Sequence, residues 1–406
     1  MDLKEQIRII AKGTAQINEI AELEKKLQDS QKEGRPLTVK LGLDPTAPDL
    51  HLGHAVVLRK IRQLQELGHQ AVIILGDFTG MIGDPSGRSK TRKQLNHEEV
   101  IENAKTYEAQ LFRILKPEST RICFNSEWLS RLSFVEVLKL AGKTTLARIM
   151  ERDDFEKRFA ANHPIGLHEL FYPLMQAYDS VRIKADIEMG GTDQLFNILM
   201  GRDLMRHFGQ ESQVALFMPI LEGTDGVEKM SKSLGNSIGI NEHPKVMFEK
   251  LMSIPDNLII RFYELCTDCH PDAIELVKDR LKAGENPRDI KSELSCEIVR
   301  LYHGEEAALG AQQYFNTVYR DRRLPDDIVD FDVSELLDGD GEVDLVKAIF
   351  QAGLTGSASE ARRLISQGGV KLNADRVESF KRPVKDGDIL QVGKKSFVRL
   401  KYDNKP

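Results

Sequence analysis

Two short segments, far apart in the chain, carry side chains that could hold a nucleotide and help to break it. The first is His51-Leu52-Gly53-His54, where a helix would place both imidazoles on one face. The second is Lys229-Met230-Ser231-Lys232-Ser233, a pair of lysines around small hydroxyl residues. A helix N-terminus and imidazoles attract phosphate, and a lysine clamp can stabilise a departing pyrophosphate. Either segment alone also fits an ordinary surface feature, a helical histidine pair or a solvated basic loop.

A third group of polar residues could bind a small molecule with several hydrogen-bonding groups. Tyr172, Gln176 and Asp179 follow one another at i, i+4 and i+7, which predicts one polar stripe on an otherwise apolar helix. The stripe could instead face water, but it contains short hydrogen-bonding groups rather than lysine and glutamate. Two glycines precede Asp193, whose carboxylate could accept from ribose hydroxyls, and Asp84 could pair with an ammonium group.

The elements around the first segment predict a parallel sheet. Residues 37–43 are typical of a strand, and the proline-containing turn 44–49 ends it. A helix is predicted over 51–67, with apolar side chains at helical spacing, and a buried strand over 71–75. Strand, helix and strand in about 40 residues form a βαβ unit, which indicates a doubly wound α/β fold.

Composition places the chain among ordinary globular proteins. It has 406 residues, 41% of them hydrophobic and 30% charged, with a net charge of −6. The apolar runs are far shorter than a membrane span, and the first residues lack the apolar core of a secretory signal. Four cysteines in a chain of this length favour a reducing compartment, so we expect a cytoplasmic protein without disulfides.

The distribution of charge and the positions of proline and glycine divide the chain into predicted domains. We predict a catalytic domain over 1–225, opening with one amphipathic helical stretch over 1–35, and a helical domain over 226–323. Residues 324–345 contain nine acidic and no basic residues, which predicts an exposed linker. Residues 346–406 carry 13 basic and 6 acidic residues, a balance of +7. This basic tail predicts contact with a polyanion, a solubilising tail being the alternative.

The two nucleotide-type segments, taken in order and about 175 residues apart, resemble the signature pair of the class I aminoacyl-tRNA synthetases. The second matches the KMSKS signature at every position, and the first departs from HIGH only by Leu52. The resemblance implies that a carboxylate attacks the α-phosphate of ATP to form an aminoacyl-adenylate and pyrophosphate. The aminoacyl group then passes to tRNA, and catalysis comes from positioning and charge stabilisation.

Over nearly the whole chain, the sequence resembles the bacterial-type tyrosyl-tRNA synthetases. The turn 83–87, the stripe on 172–179 and the loop 190–194 carry this likeness. It implies a tyrosine–tRNA ligase with a Rossmann-like doubly wound parallel sheet, a helical anticodon-binding domain and a small α+β RNA-binding domain. It also implies ATP as a substrate with Mg²⁺, tyrosine and tRNA(Tyr) as partners, and a homodimer.

The resemblance assigns the site residues one by one. For tyrosine these are Asp84, Tyr172, Gln176, Asp179 and Gln194, with Asp179 accepting from the phenolic hydroxyl. For ATP they are Gly42, Asp44, Thr46, His51, Gly53, His54, Gly191, Asp193, Lys229 and Lys232, with Arg88 and Arg92 assisting the departure of pyrophosphate. This chain has Lys40 where many relatives place a tyrosine that meets the substrate hydroxyl, and Arg88 where lysine is common.

The tail resembles a small RNA-binding fold shared with a ribosomal small-subunit protein. The basic residues that would contact phosphates there are Arg362, Arg363, Lys371, Lys394 and Lys395.

Three other functions would account for part of this pattern. The tryptophanyl enzyme shares the fold but usually lacks the basic tail and the polar stripe. A catalytically silent RNA-binding relative would not need the histidines and lysines, and a general nucleotidylyltransferase would not need the tail. Cys266-Thr267-Asp268-Cys269-His270 fits a haem-attachment pattern, but that chemistry requires export and zinc would require further ligands. We therefore expect neither haem nor zinc.

Overall fold

The computed structural model describes residues 1–44, 50–84, 107–320, 328–338, 341–393 and 396–402. These residues form two compact units, 1–309 and 310–406.

The first unit is built on a six-stranded sheet. Its strands are β1 (Gln16–Asn18), β2 (Thr38–Leu43), β3 (Gln70–Leu75), β4 (Thr120–Phe124), β5 (Ile187–Gly191) and β6 (Val214–Met218). They lie in the order β1-β6-β5-β2-β3-β4, and every neighbouring pair is parallel except β1 with β6. All five residues of β6 and the apolar run of β3 are buried, as expected of strands covered on both faces.

Helices connect and cover these strands. Those of the first unit are α1 (Leu3–Ala11), α2 (Ile20–Glu33), α3 (Leu52–Glu66), α4 (Thr79–Ile82), α5 (Ser126–Leu129), α6 (Phe134–Ala141), α7 (Leu146–Met150), α8 (Asp153–Ala160), α9 (Tyr172–Ile183) and α10 (Leu195–His207). The predicted β2–α3–β3 unit is confirmed, and α3 buries its apolar stripe, including Leu58, Ile61 and Leu64. Gly68 follows α3 with a φ of 93°, a left-handed conformation that favours glycine.

The strand order creates a crevice. From β2 the chain moves to β3 and β4 on one side, whereas β5 and β6 lie on the other side. The order therefore reverses between β2 and β5, and in open parallel sheets ligands bind beyond the carboxyl ends of strands at such a point. Here those ends lead to Asp44 and Gly191.

The N-terminal segment differs from its prediction. Residues 1–35 are not one helical stretch, because α1 and α2 are separated by β1, which pairs antiparallel with β6. Gly13 has a φ of 67°, and Ala15 donates its N–H to the carbonyl of Phe217. A free sheet edge thus competes successfully with helix propensity, which is a weak local preference.

The helices predicted after residue 226 begin at Pro244. They are α11 (Pro244–Met252), α12 (Ile259–Cys266), α13 (Pro271–Lys282), α14 (Pro287–His303) and α15 (Glu305–Phe315), which contains the division between the units. Prolines occupy the first positions of α11, α13 and α14, where a missing N–H costs nothing.

The second unit is a small α+β module. Strands β9 (Val370–Leu372), β10 (Asp375–Arg376), β12 (Ile389–Val392), β13 (Ser396–Lys401) and β7 (Val329–Asp332) form a sheet in the order β10-β9-β12-β13-β7. Strands β8 (Glu342–Asp344) and β11 (Lys381–Pro383) form a separate pair, and helices α16 (Leu345–Gln351) and α17 (Ala358–Ser366) complete the module.

The acidic segment differs from the linker prediction where the structure describes it. Strand β7 pairs in parallel with β13, and β8 pairs with β11, so residues on both sides of Gly339 belong to the module. Val333 and Val343 are completely buried in its apolar core. Acidic side chains alternate with these apolar ones, so a charge count hides the strand pattern.

We expect Gly13→Ala to lower the free energy of unfolding more than Gly34→Ala does. Both glycines have left-handed backbones, with φ of 67° and 64°, so each substitution costs about 1 kcal/mol of strain. Only at Gly13 would the added methyl lie 3.0 Å from the Glu264 carbonyl oxygen and 3.0 Å from a methyl of Leu265. Urea unfolding of both variants measures the difference, and equal losses would contradict it.

Candidate active site

Both predicted nucleotide segments line one cavity of about 440 Å³. It lies at the crevice, and its wall includes His51 and His54 together with Lys229 and Ser231. The chain that follows the lysine segment is hydrogen-bonded to the histidine segment, because Leu52 donates its N–H to the carbonyl of Ile238 over 2.9 Å. The two segments are thus adjacent although they are far apart in the sequence.

His51 caps helix α3. Its Nδ1 accepts the N–H of Gly53 over 3.1 Å, and His54 Nδ1 accepts the N–H of His51 over 3.4 Å. A neutral imidazole that accepts at Nδ1 carries its proton on Nε2, so each ring has an N–H to donate elsewhere. Gly53 is required sterically, since a Cβ there would lie 2.9 Å from the His51 ring.

Both imidazoles are neutral at physiological pH. Burial, together with the neighbouring His54 and Lys232, lowers the pKa of His51 to about 3. Desolvation at the cavity wall and the charge of Lys232 lower the pKa of His54 to about 4. The rings therefore act as hydrogen-bond donors and not as cations, whereas the adjacent helix N-terminus supplies positive potential.

The lysine segment is held by a buried asparagine that sequence reasoning did not single out. Asn236 accepts the N–H of Ser231 over 2.8 Å and donates to the carbonyl of Lys229 over 3.2 Å. Met230 is 5% exposed, whereas Lys229 and Lys232 are exposed. A buried anchor between two exposed lysines keeps the ammonium groups at the mouth of the cavity.

Tyr172 and Asp44 meet at the end of β2. The Tyr172 hydroxyl donates to Asp44 over 2.8 Å, and the other Asp44 oxygen accepts from Thr79 over 3.0 Å. A Cβ at Gly76 would lie 2.1 Å from Asp44 and 2.2 Å from Thr79, so a glycine is needed here. Burial and the negative charges of Asp44 and Asp84 raise the pKa of Tyr172 well above its usual range.

Asp179 lies in the wall of the cavity and is 3% exposed. Trp128, the chain's single tryptophan, donates its indole N–H to one carboxylate oxygen over 2.7 Å. Asn125 donates to the other over 3.2 Å. Burial raises the pKa of Asp179 to about 7, against the opposing effects of Lys40 and these two donors.

Gln176, Gln194 and Asp84 are linked through Asn197. The Asn197 amide donates to Gln176 over 3.0 Å and to Gln194 over 3.1 Å, and Gln194 donates to Asp84 over 2.9 Å. Arg152 donates to Asn197 over 3.0 Å and lies 3.4 Å from Asp84. The cavity therefore has a continuous rim of amides and carboxylates.

The glycines at the strand ends leave room for a ligand. Gly42 is exposed, and no described atom lies within 4 Å of the position that its Cβ would occupy. At Gly191 a Cβ would lie 2.4 Å from the Asp193 carboxylate. Burial and the charge of Asp84 raise the pKa of Asp193.

The structure brings most of the predicted cavity residues together. Those that line the cavity are Gly42, Asp44, His51, Gly53, His54, Asp84, Tyr172, Gln176, Asp179, Gly191, Asp193, Gln194 and Lys229. Lys232 lies close enough to influence both histidines. Thr46, Arg88, Arg92, Lys394 and Lys395 lie outside the described residues.

Besides Asn236, three supporting residues were missed by sequence reasoning. Asn125, Trp128 and Asn197 position the predicted ligand-binding side chains through the hydrogen bonds given above. A lone tryptophan was a usable signal, whereas the asparagines follow no local pattern. In the second unit, Arg362, Arg363 and Lys371 are exposed around the turn between α17 and β9.

The cysteine–histidine segment makes other contacts. Cys266 is 2% exposed, and the His270 imidazole lies 2.5 Å from Glu5. Within the described ranges, no three acidic, cysteine or histidine side chains gather in a way that could hold a metal ion. No helix in the described part of the chain has the length and apolarity needed to cross a membrane.

Comparison with known proteins identifies the family to which the chain belongs. Residues 31–320 match the family described as tRNA synthetases class I (W and Y), and residues 345–390 match the S4 domain. A solved tyrosyl-tRNA synthetase from Archaeoglobus fulgidus, in complex with L-tyrosine, superposes with a TM-score of 0.62 and 25% identity over 77% of this chain and all of that one.

Sequence relatives cover almost the whole chain. Tyrosine–tRNA ligase 2 of Clostridium acetobutylicum is 57% identical over 98% of this chain and 99% of its own. The tyrosine–tRNA ligase of Carboxydothermus hydrogenoformans is 54% identical over 99% of both chains. The chain therefore belongs to the class I tRNA synthetases of the W and Y family, and its likeness to tyrosine–tRNA ligases confirms the predicted resemblance to the bacterial-type tyrosyl enzymes.

Proposed function

We propose that the chain is a tyrosine–tRNA ligase that uses this cavity for both steps. A tyrosine carboxylate oxygen attacks the α-phosphorus of ATP, the bond to the bridging oxygen breaks, and pyrophosphate leaves. A ribose hydroxyl at the 3′ end of tRNA(Tyr) then attacks the carbonyl carbon of the adenylate, a tyrosyl ester forms, and AMP leaves. The observation that carries the proposal is the shared cavity of the histidine and lysine segments, with a buried carboxylate in its wall.

The phosphates would lie between α3 and the lysine segment. The Nε2 protons of His51 and His54 donate to phosphate oxygens, and the N-terminus of α3 adds its dipole. Lys229 and Lys232 stabilise the charge that develops on pyrophosphate. The exposed Gly42 and the Gly191–Asp193 turn accommodate the nucleoside, with Asp193 accepting from the ribose. Thr46, Arg88 and Arg92 would add to the phosphate site.

Tyrosine would lie deeper in the cavity. Asp84, Tyr172 and Gln176 bind its ammonium group, and Gln194 lies near its carboxylate. Asp179 accepts from the phenolic hydroxyl, since Trp128 and Asn125 already donate to the same carboxylate and leave lone pairs for a third donor. Phenylalanine would leave this buried carboxylate without that partner, which is unfavourable.

ATP would enter with Mg²⁺ on its phosphates, where the ion neutralises charge and the lysines share that role. The enzyme would act in the cytoplasm, where ATP, tyrosine and tRNA are present together. The S4-like module would bind tRNA backbone through Arg362, Arg363 and Lys371, together with Lys394 and Lys395.

We also propose a homodimer. Six large apolar side chains between 134 and 167 are more than half exposed in the single chain: Phe134, Val135, Leu138, Leu146, Phe159 and Leu167. Such density on the surface of one segment is typical of an interface between subunits.

The decisive experiment is ATP–pyrophosphate exchange with each of the twenty amino acids. We expect exchange with tyrosine alone, since the buried Asp179 carboxylate in the cavity wall can accept a hydrogen bond from a phenolic hydroxyl. Exchange driven by tryptophan would favour the other branch of the family. Exchange with no amino acid would contradict an active ligase.

In the same assay, His51→Ala is expected to lower kcat by roughly 10²-fold, the usual effect of losing one transition-state donor. KM for tyrosine is expected to stay the same, because the amino acid lies away from α3. Since the pKa of His51 is about 3, the loss should be equal from about pH 6 to 8. A loss that appears only below about pH 6.5 would indicate that the active form is an imidazolium and would contradict the neutral donor.

Arg362→Ala with Arg363→Ala is expected to raise KM for tRNA and weaken its salt dependence, because two phosphate contacts are lost. Tyrosine-dependent exchange should not change. Lys4→Ala with Lys32→Ala removes two exposed charges from the first unit and serves as the matched control. Equal effects of both pairs on aminoacylation would argue against the tail as an RNA-binding surface.

For the dimer, Leu138→Asp is expected to produce monomers in sedimentation experiments, because it places a charge in an apolar interface. The control is Leu276→Asp on α13, where leucine is 65% exposed compared with 56% for Leu138. A Leu138→Asp protein with unchanged mass would contradict this interface.

A further inference from the structure

Lys40 is a completely buried lysine next to the tyrosine pocket. It lies on β2 with 0% exposure, and the strand register places it beside Glu188 on β5, which is 1% exposed. The Lys40 ammonium donates to Glu188 over 2.8 Å, to the Ser180 hydroxyl over 2.6 Å and to the main-chain carbonyl of Gln176 over 2.9 Å. Every proton of the ammonium group therefore has an acceptor.

Glu188 extends this contact into a network. Its carboxylate also accepts from Ser180 over 2.6 Å, from Gln213 over 2.7 Å and from the Gln176 side chain over 3.4 Å. A buried ion pair costs desolvation energy, and hydrogen bonds of this kind are needed to offset that cost. The network therefore attaches the Gln176–Ser180 turn of α9 to strands β2 and β5 of the sheet.

That turn is the one that carries the proposed substrate contacts. Residues 176 and 180, which bind Lys40, flank Asp179, whose carboxylate lies in the cavity wall. Four groups outside α9 influence Asp179: Trp128 on α5, Asn125 just before it, Lys40 on β2 and Glu188 on β5. Lys40 is the cation among them, and its effect on the pKa of Asp179 opposes burial more strongly than any other group's.

Resting on the proposed function, we propose that Lys40 is a positioning residue that selects tyrosine. It holds the Gln176–Ser180 turn of α9 in place and stabilises the negative charge of Asp179, so that a carboxylate faces the substrate. A carboxylate only accepts hydrogen bonds, so it favours a phenol over a phenyl ring. Lys40 itself need not touch the substrate.

A purely structural ion pair is the competing explanation, and stability alone does not separate the two. Buried ion pairs can be replaced by neutral side chains with little loss of stability, whereas removing one partner leaves the other charge buried without a counter-charge. The test therefore uses Lys40→Met combined with Glu188→Gln, which removes both charges and keeps similar shapes. The readout is KM for tyrosine and for ATP in pyrophosphate exchange between about pH 6 and 9.

The double variant should raise KM for tyrosine at pH 7 by about tenfold, the effect of weakening one charged hydrogen bond. KM for ATP should change less than about twofold. In the unmodified enzyme, KM for tyrosine should fall as pH rises through about 7, where Asp179 ionises. Without Lys40 this inflection should move to higher pH, and preference for tyrosine over phenylalanine should decrease.

Three further variants make the test more specific. Glu188→Gln alone leaves Lys40 without its counter-charge, so the inflection should move to lower pH. Lys26→Met removes another buried lysine, which lies 3.7 Å from Asp186 at the entrance of β5 and away from the cavity. It should lower thermal stability and leave KM for tyrosine and the inflection unchanged. Asp179→Asn should abolish the inflection and identify the titrating group.

An unchanged KM and inflection in the double variant would overturn the proposal and leave Lys40 a structural residue. If that variant does not fold, an unmoved inflection in Glu188→Gln overturns it equally. Absence of tyrosine-dependent exchange in the unmodified enzyme would instead overturn the proposed function, which separates the two failures.

Discussion

The burial of charge is the constraint on which this cavity depends. Asp179, Glu188 and Lys40 are each at most 3% exposed, and a charge in that environment must be paired or it will be neutralised. The protein meets this requirement with fixed donors: an indole, an amide, a hydroxyl and an ammonium group. The same donors that make burial tolerable also orient the carboxylates, so the contacts that stabilise these charges also fix the geometry of the cavity wall.

At the end of the cavity formed by the histidine and lysine segments, charge is arranged differently. A triphosphate carries several negative charges, and there the protein supplies a helix N-terminus, two neutral imidazoles and two exposed lysines. Keeping the histidines neutral and the lysines at the surface avoids burying unpaired cations before the nucleotide binds. Positive charge is therefore introduced mainly from the mouth, next to the place where pyrophosphate would leave.

Close approach of backbone segments adds a steric requirement. Side chains at Gly53, Gly76 and Gly191 would overlap with His51, Asp44 and Asp193 respectively. At Gly53 and Gly191 the sequence suggested room for a nucleotide, and the structure adds a second reason, namely room for the neighbouring side chains of His51 and Asp193. At Gly76 no sequence signal indicated that a glycine was needed.

Local pattern determined much of this protein. The β2–α3–β3 unit could be predicted from the spacing of apolar residues and from the lengths of the apolar runs. The two signature segments could be recognised from residue type and order. Both kinds of signal are properties of neighbouring residues. The stripe of Tyr172, Gln176 and Asp179 follows from helical spacing alone. What tertiary structure decided is which distant groups meet: β1 takes the free edge beside β6 instead of extending a helix, and β7 joins β13 although its segment looked like a charged linker. Lys40 shows the same limit, since only pairing of β2 with β5 places its ammonium beside Glu188. Such contacts depend on strand order and burial, which are long-range properties that no local window of sequence contains.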